Sequence, residues 1–205
     1  MTIILIIVTS LISLLAFSRP EIFSRLQFNA VQIWHGHEQY RMISHGFIHA
    51  DYMHLLINML VLYSFGVNVE YYFHLLNIQG IIHVPQLYFL FLYLAGIVIS
   101  SLLTLYKQKD NQSYNAVGAS GAVSAVVFTN IFFAPLQKVY FFGLLPLPGI
   151  VFAILYLLYS QFMGRKGVDN INHDAHFAGA LWGFLFPLLI DFRLIYHFLG
   201  QLGLR

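Results

Sequence analysis

Ser120 stands in Gly118-Ala119-Ser120-Gly121, a run of small residues where a loop enters an apolar stretch. Small neighbours let backbone and substrate come close, so the hydroxyl is a candidate nucleophile. A helix starting there would offer unpaired N–H groups and a positive dipole end to a developing oxyanion. The motif departs from the soluble hydrolase elbow Gly-x-Ser-x-Gly, because Ala122 takes the second glycine position. Alone, it reads better as a seam for close helix packing. His176 changes that. It opens the segment Ala175-His176-Phe177-Ala178-Gly179-Ala180-Leu181-Trp182-Gly183, where Gly179 and Gly183 form a face that a neighbouring helix can approach. An ionisable group in an apolar span is costly and points to function, and a neutral imidazole can take a serine proton. The competing reading is a histidine that merely snorkels to the interface. His173 precedes the apolar run and is expected to serve a loop.

His54 and Asn58 are four residues apart, so on a helix both face one way. An imidazole N–H and a side-chain amide are suitable oxyanion donors, each worth roughly 2.7–4 kcal/mol of barrier. Their alternative use is interhelical hydrogen bonding, worth under ~2 kcal/mol. Glu70 lies too far along the same run for acid–base work with Ser120, and reads as a structural acceptor. Asp174 adjoins His176 without facing it, and Asp191 lies about four turns on. With no carboxylate placed as a third member, the simplest machine is a Ser–His dyad.

Composition says what must position these residues. The chain is 59% hydrophobic and only 9% charged, against about 25% charged in an ordinary soluble domain. Too few charges are left for a water-facing surface, so a lipid bilayer is the expected solvent. A net charge of +2 does not suggest a nucleic-acid partner, and zero cysteines exclude disulfides and thiolate chemistry. Six runs approach the roughly 20 apolar residues of a span: 2–18, 53–73, 86–106, 117–134, 138–160 and 175–192. The first has no basic residue before it and no clear small-x-small end, which predicts a retained span rather than a cleaved signal. Pro146 and Pro148 imply that the fifth helix is kinked or starts late. Residues 165–174 form a polar break. No repeat or low-complexity tract interrupts residues 1–205, which read as one domain. The second, fourth and sixth runs share a direction, so His54, Asn58, Ser120 and His176 fall at one depth.

These residues resemble the rhomboid family of intramembrane serine proteases. The resemblance is carried by Gly118-Ala119-Ser120-Gly121, by Ala175-His176-x-x-Gly179, and by Phe47 to Met59 with His54 and Asn58. Phe65-Gly66 and Glu70 follow. It spans residues of about 41–185 and implies an all-α polytopic bundle of six transmembrane helices with a long, membrane-associated first loop over residues 19–52. It further implies Ser120 as nucleophile, His176 as general base, and His54, Asn58 and the Ser120 backbone N–H as oxyanion hole. Gly118, Gly121, Glu70, Gly179, Gly183 and Ser124 would support them. The substrates implied are membrane proteins cleaved in or near a transmembrane segment, with no metal or cofactor. Many members carry a tyrosine four residues after the nucleophile, beneath the imidazole; here that position is Ser124. A Trp-Arg pair common in the first loop is Tyr40-Arg41, expected to be tolerated.

The family opens its site toward the extracytoplasmic side of the membrane, and a cell-membrane location is expected. The Lys and Arg count points the other way: 7 on the site side (Arg19, Arg25, Arg41, Lys107, Lys109, Arg165, Lys166) against 3 (Lys138, Arg193, Arg205). A membrane-embedded first loop is a poor case for that rule, so the expectation follows the family. Two other readings compete. His45, His49, Asp51 and His54 could serve a metal-dependent hydrolase. A catalytically inactive membrane binding protein of the same descent is the runner-up.

Overall fold

In the computed structural model, residues 1–141, 145–166 and 172–204 are described. Half of the polar break at 165–174, residues 167–171, lies outside them. The described chain is mostly helical. Helix α1 (Thr2–Ser18) leads into a folded connection made of α2 (Pro20–Leu26), α3 (Ala30–Trp34), α4 (Arg41–Ser44) and a 3-10 turn at His45–Phe47. Helices α5 (Tyr52–Ile78), α6 (Pro85–Gln108), α7 (Ser120–Phe133), α8 (Gly149–Lys166) and α9 (His173–Ile190) follow, and α10 (Leu194–Gln201) closes the described chain.

Local chemistry explains several boundaries. Asp51 caps α5 by accepting the His54 N–H at 2.7 Å, and Pro85 opens α6 at a position that needs no N–H. Asn172 caps α9 by accepting the Ala175 N–H at 3.1 Å.

The expected fifth span, 138–160, is corrected by the structure. Its first part forms two strands, Lys138–Phe141 and Leu145–Pro148, paired antiparallel, and α8 starts only at Gly149. Pro146 and Pro148 lack the N–H a helix interior requires and favour extended backbone, which accounts for the delay. A second antiparallel pair, Phe28–Asn29 with Asn115–Ala116, joins the first connection to the loop before Ser120. The hairpin lies inside an apolar run that reads equally as helix and the second pair lies in no such run, so the all-α expectation holds for the bulk of the fold and not for these ladders. Helix α10 was not expected either. Phe198 on it stacks on Phe132 with ring centroids 5.3 Å apart.

Helix α7 is the centre. Every residue after Ser120 in it is buried, and it packs against α9, α5 and α6. Helices α5 and α6 are long and apolar enough to cross a membrane, while Thr2–Ser18, Ser120–Phe133 and Gly149–Gly164 are shorter apolar helices. Leu11, Leu56, Leu60, Leu155 and Leu158 point outward on α1, α5 and α8. An outer surface this apolar suits lipid.

Candidate active site

Ser120 is the first residue of α7, as its glycine-rich approach predicts. Gly118 has φ +118°, in the region that favours glycine, and a Cβ there would lie 2.7 Å from the His54 ring. The turn is pinned by a bond from the Gly118 N–H to the His45 carbonyl at 3.0 Å.

His176 lies in the first turn of α9, with its Nε2 2.8 Å from Ser120 Oγ. Two features bring the pair together. A Cβ on Gly179 would fall 2.1 Å from the Gly121 carbonyl, and one on Gly183 would fall 1.9 Å from the Ala125 carbonyl. Only glycine lets α9 come this close to α7. The expected packing face therefore lies against the helix that Ser120 begins, and Thr129 Oγ1 bonds the Gly183 carbonyl across it at 2.7 Å. The start of α9 is then tied to α6, where Asn172 Nδ2 donates to Thr104 Oγ1 at 2.9 Å and Lys107 Nζ meets Asp174 at 2.7 Å. Asp191 is held by Arg193 at 2.6 Å. Both carboxylates weighed for a third catalytic role are thus engaged elsewhere.

His54 and Asn58 open onto the same cleft as Ser120 and His176, a space of about 1320 Å³ bordered by α5, α7 and α8. The Ala50 N–H points at His54 Nδ1 across 3.5 Å, an acceptor assignment that puts the ring proton on Nε2. Asn58 Nδ2 donates to the His54 carbonyl at 2.9 Å and carries a second N–H. Behind Ser120, a cavity of about 30 Å³ is lined by the polar side chains of His45, Ser100, Ser101 and Asn172 and by apolar Phe28, Val117 and Ala175. That is room for about one water.

His45 and His49 hold the floor. The His45 Nδ1 donates to the Arg41 carbonyl at 2.7 Å, and its Nε2 meets the Ser101 hydroxyl at 3.1 Å. Ala119 N–H donates to His49 Nε2 at 3.4 Å, which leaves the His49 proton on Nδ1, 3.0 Å from Ser13 Oγ; the Ser13 hydroxyl then donates to the Phe47 carbonyl at 2.9 Å. One ring thus links α1 to the residue before Ser120. Burial pushes the His49 pKa down to about 3, with nearby His54 adding to it and Asp51 opposing it. Burial takes His45 to about 4 against its bond to the Arg41 carbonyl. With these rings so used, the His45, His49, Asp51 and His54 set is spread over separate tasks. Among the described residues no group of three or more His, Cys, Asp or Glu is arranged to hold a metal ion.

Three sequence expectations are refined. Arg41 of the Tyr40-Arg41 pair is buried: its guanidinium gathers the Ser24 and Gln27 carbonyls, each at 2.8 Å, and pairs with Glu38. Tyr40 bonds the Arg25 carbonyl at 3.2 Å. His173 is not in a loop but begins α9, buried and edge-on to His176 with ring centroids 6.0 Å apart. Glu70, far along α5, receives the main-chain nitrogens of Met1 and Thr2 and so fixes the start of α1. Ser124 bonds the Tyr156 hydroxyl at 2.8 Å. Tyr156 lies near His176 and carries no sequence motif, so nothing in the chain marked it.

A rhomboid domain model matches residues 36–191. The chain belongs to the rhomboid family. It is 29% identical over 154 residues to RHOMBOID-like protein 12, mitochondrial, of Arabidopsis thaliana, covering 68% of this chain and 43% of that protein. It is 27% identical over 168 residues to Rhomboid-related protein 1 of Caenorhabditis elegans, covering 78% and 42%. RHOMBOID-like protein 4 of Arabidopsis thaliana matches at 26% identity over 167 residues, 81% of this chain and 38% of that protein. The chain therefore spans about two fifths of the length of these curated relatives. Rhomboid membership implies a polytopic membrane fold, and the protein is a membrane protein of that family.

Proposed function

We propose that this rhomboid is an intramembrane serine endopeptidase that cleaves membrane-protein substrates in or near a transmembrane segment. The observation that carries the reading is the 2.8 Å contact between His176 Nε2 and Ser120 Oγ at the wall of the cleft. A neutral Nε2 takes the Ser120 proton as Oγ bonds the scissile carbonyl carbon. His54, Asn58 and the Ser120 backbone N–H receive the oxyanion. The imidazolium then gives its proton to the leaving amine, the C–N bond breaks, and an acyl ester remains on Ser120. Water, deprotonated by His176, attacks the ester carbon and releases the acid and the free serine.

We read residues 1–205 as one domain with six spans, α1 and α5 to α9, and with the connection from α2 to the 3-10 turn resting in the membrane surface. The site opens toward the extracytoplasmic side, and the cell membrane is the proposed location. Small residues beside the scissile bond are the substrate feature that the family resemblance suggests. No nucleic acid, metal or cofactor takes part. In detergent or bicelles a fluorophosphonate should label the protein, and Ser120→Ala should abolish labelling. Equal labelling of both proteins would overturn the assignment.

A further inference from the structure

Tyr156 stands on α8, one turn after Phe152. Its ring lies nearly parallel to the His176 imidazole, with centroids 6.3 Å apart and planes 21° apart. That separation falls within the range of offset aromatic stacking. Three contacts hold the ring. Ser124 Oγ bonds its hydroxyl at 2.8 Å, Phe152 stacks on it at 5.7 Å, and Phe128 leans against it at 5.6 Å. Ser124 and Phe128 are on α7, the first of them one turn after Ser120. The helix of the nucleophile therefore grips an aromatic ring supplied by another helix, at the position where it lacks one of its own.

We propose that Tyr156 is the positioning residue of His176. Its ring backs the imidazole and keeps Nε2 on Ser120 Oγ, and the Ser124 hydroxyl fixes the ring. The proposal rests on Ser120 and His176 acting as nucleophile and base. A base that swings by about 1 Å can cost about a hundred-fold in rate, so a stacked face has large leverage for a small contact energy. His173, edge-on to the same imidazole, cannot replace that face because it meets His176 at 77°.

The test follows fluorophosphonate labelling of the full chain, giving a saturating rate and a half-saturating probe concentration. Tyr156→Leu should lower the saturating rate about ten-fold or more, with the half-saturating concentration and the thermal midpoint little changed. Tyr156→Phe keeps the ring and should stay within about three-fold of the parent rate, since it loses a single neutral hydrogen bond. A Tyr156→Leu rate equal to the parent's would overturn the proposal, as would Tyr156→Phe labelling as slowly as Tyr156→Leu. Where Tyr156→Leu does not fold, Tyr156→Met is read by the same numbers and decides in its place. The two failures are separable. Labelling lost in Ser120→Ala but unaffected by Tyr156→Leu removes only the role of Tyr156; labelling that survives Ser120→Ala removes both readings.

Discussion

His49 shows how much of the site depends on a side chain that never meets substrate. Its Nε2 accepts the Ala119 N–H, so a proton on that nitrogen would face another proton and break the link. Folded, His49 and His45 stay neutral down to about 3 and about 4, whereas in the unfolded chain they titrate near 6.5. Between these values the unfolded chain holds more protons than the folded one. Stability must then fall as pH drops below about 6.5. We expect the thermal midpoint to decline steadily from pH 7 to about 4.5, and His49→Gln to reduce that slope by up to about one proton. A midpoint flat across this range would contradict the burial of both rings. At this scale the sequence was partly readable. Ser120, His176, His54 and Asn58 each carry a residue type that names its chemistry. Tyr156 and Ser13 do not, because their partners come from other helices at no fixed spacing.

Helices are set by what they leave out. Gly179 and Gly183 are read in the sequence as a packing face, and the structure gives the face its partner: backbone carbonyls of Gly121 and Ala125 fill the space where Cβ atoms would sit. Carbonyls cannot swing aside as a side-chain tip can. Gly183→Ala should therefore cost about 1–3 kcal/mol or more, read as a lowered thermal midpoint, and slow labelling as His176 moves off Ser120. Gly200→Ala on α10 is the matched control, since nothing lies within 4 Å of its added Cβ. It should be neutral or stabilising by up to about 1 kcal/mol. Equal losses in the two variants would show that glycine matters here for some reason other than close approach. Apolar length alone misplaced the fifth run, because hydropathy does not distinguish an apolar hairpin from an apolar helix. The prolines held that information, though they left open whether the helix was kinked or late.

Over the whole molecule, the direction of each helix was legible from the order of the apolar runs, but the side the site faces was not. Two of the charges counted on the site side are neutralised within the fold, Arg41 by Glu38 and Lys107 by Asp174. Acidic partners carry little weight in the positive-inside rule, so the count of 7 against 3 stands and the side has to be read by labelling. The absence of cysteine makes the matter simple to test. Gln112→Cys, exposed near the start of α7, should react with an impermeant maleimide on intact cells; Gln79→Cys, exposed at the opposite end of α5, should react only after permeabilisation. The reverse pattern would turn the site toward the cytoplasm. The placement of Tyr156 has one more consequence at this scale. The ring stacked on His176 belongs to α8, which also borders the cleft. Under the role proposed for Tyr156, a segment that pushed α8 outward would draw that ring away from His176, so admission and firing would exclude each other, as in an interlocked door.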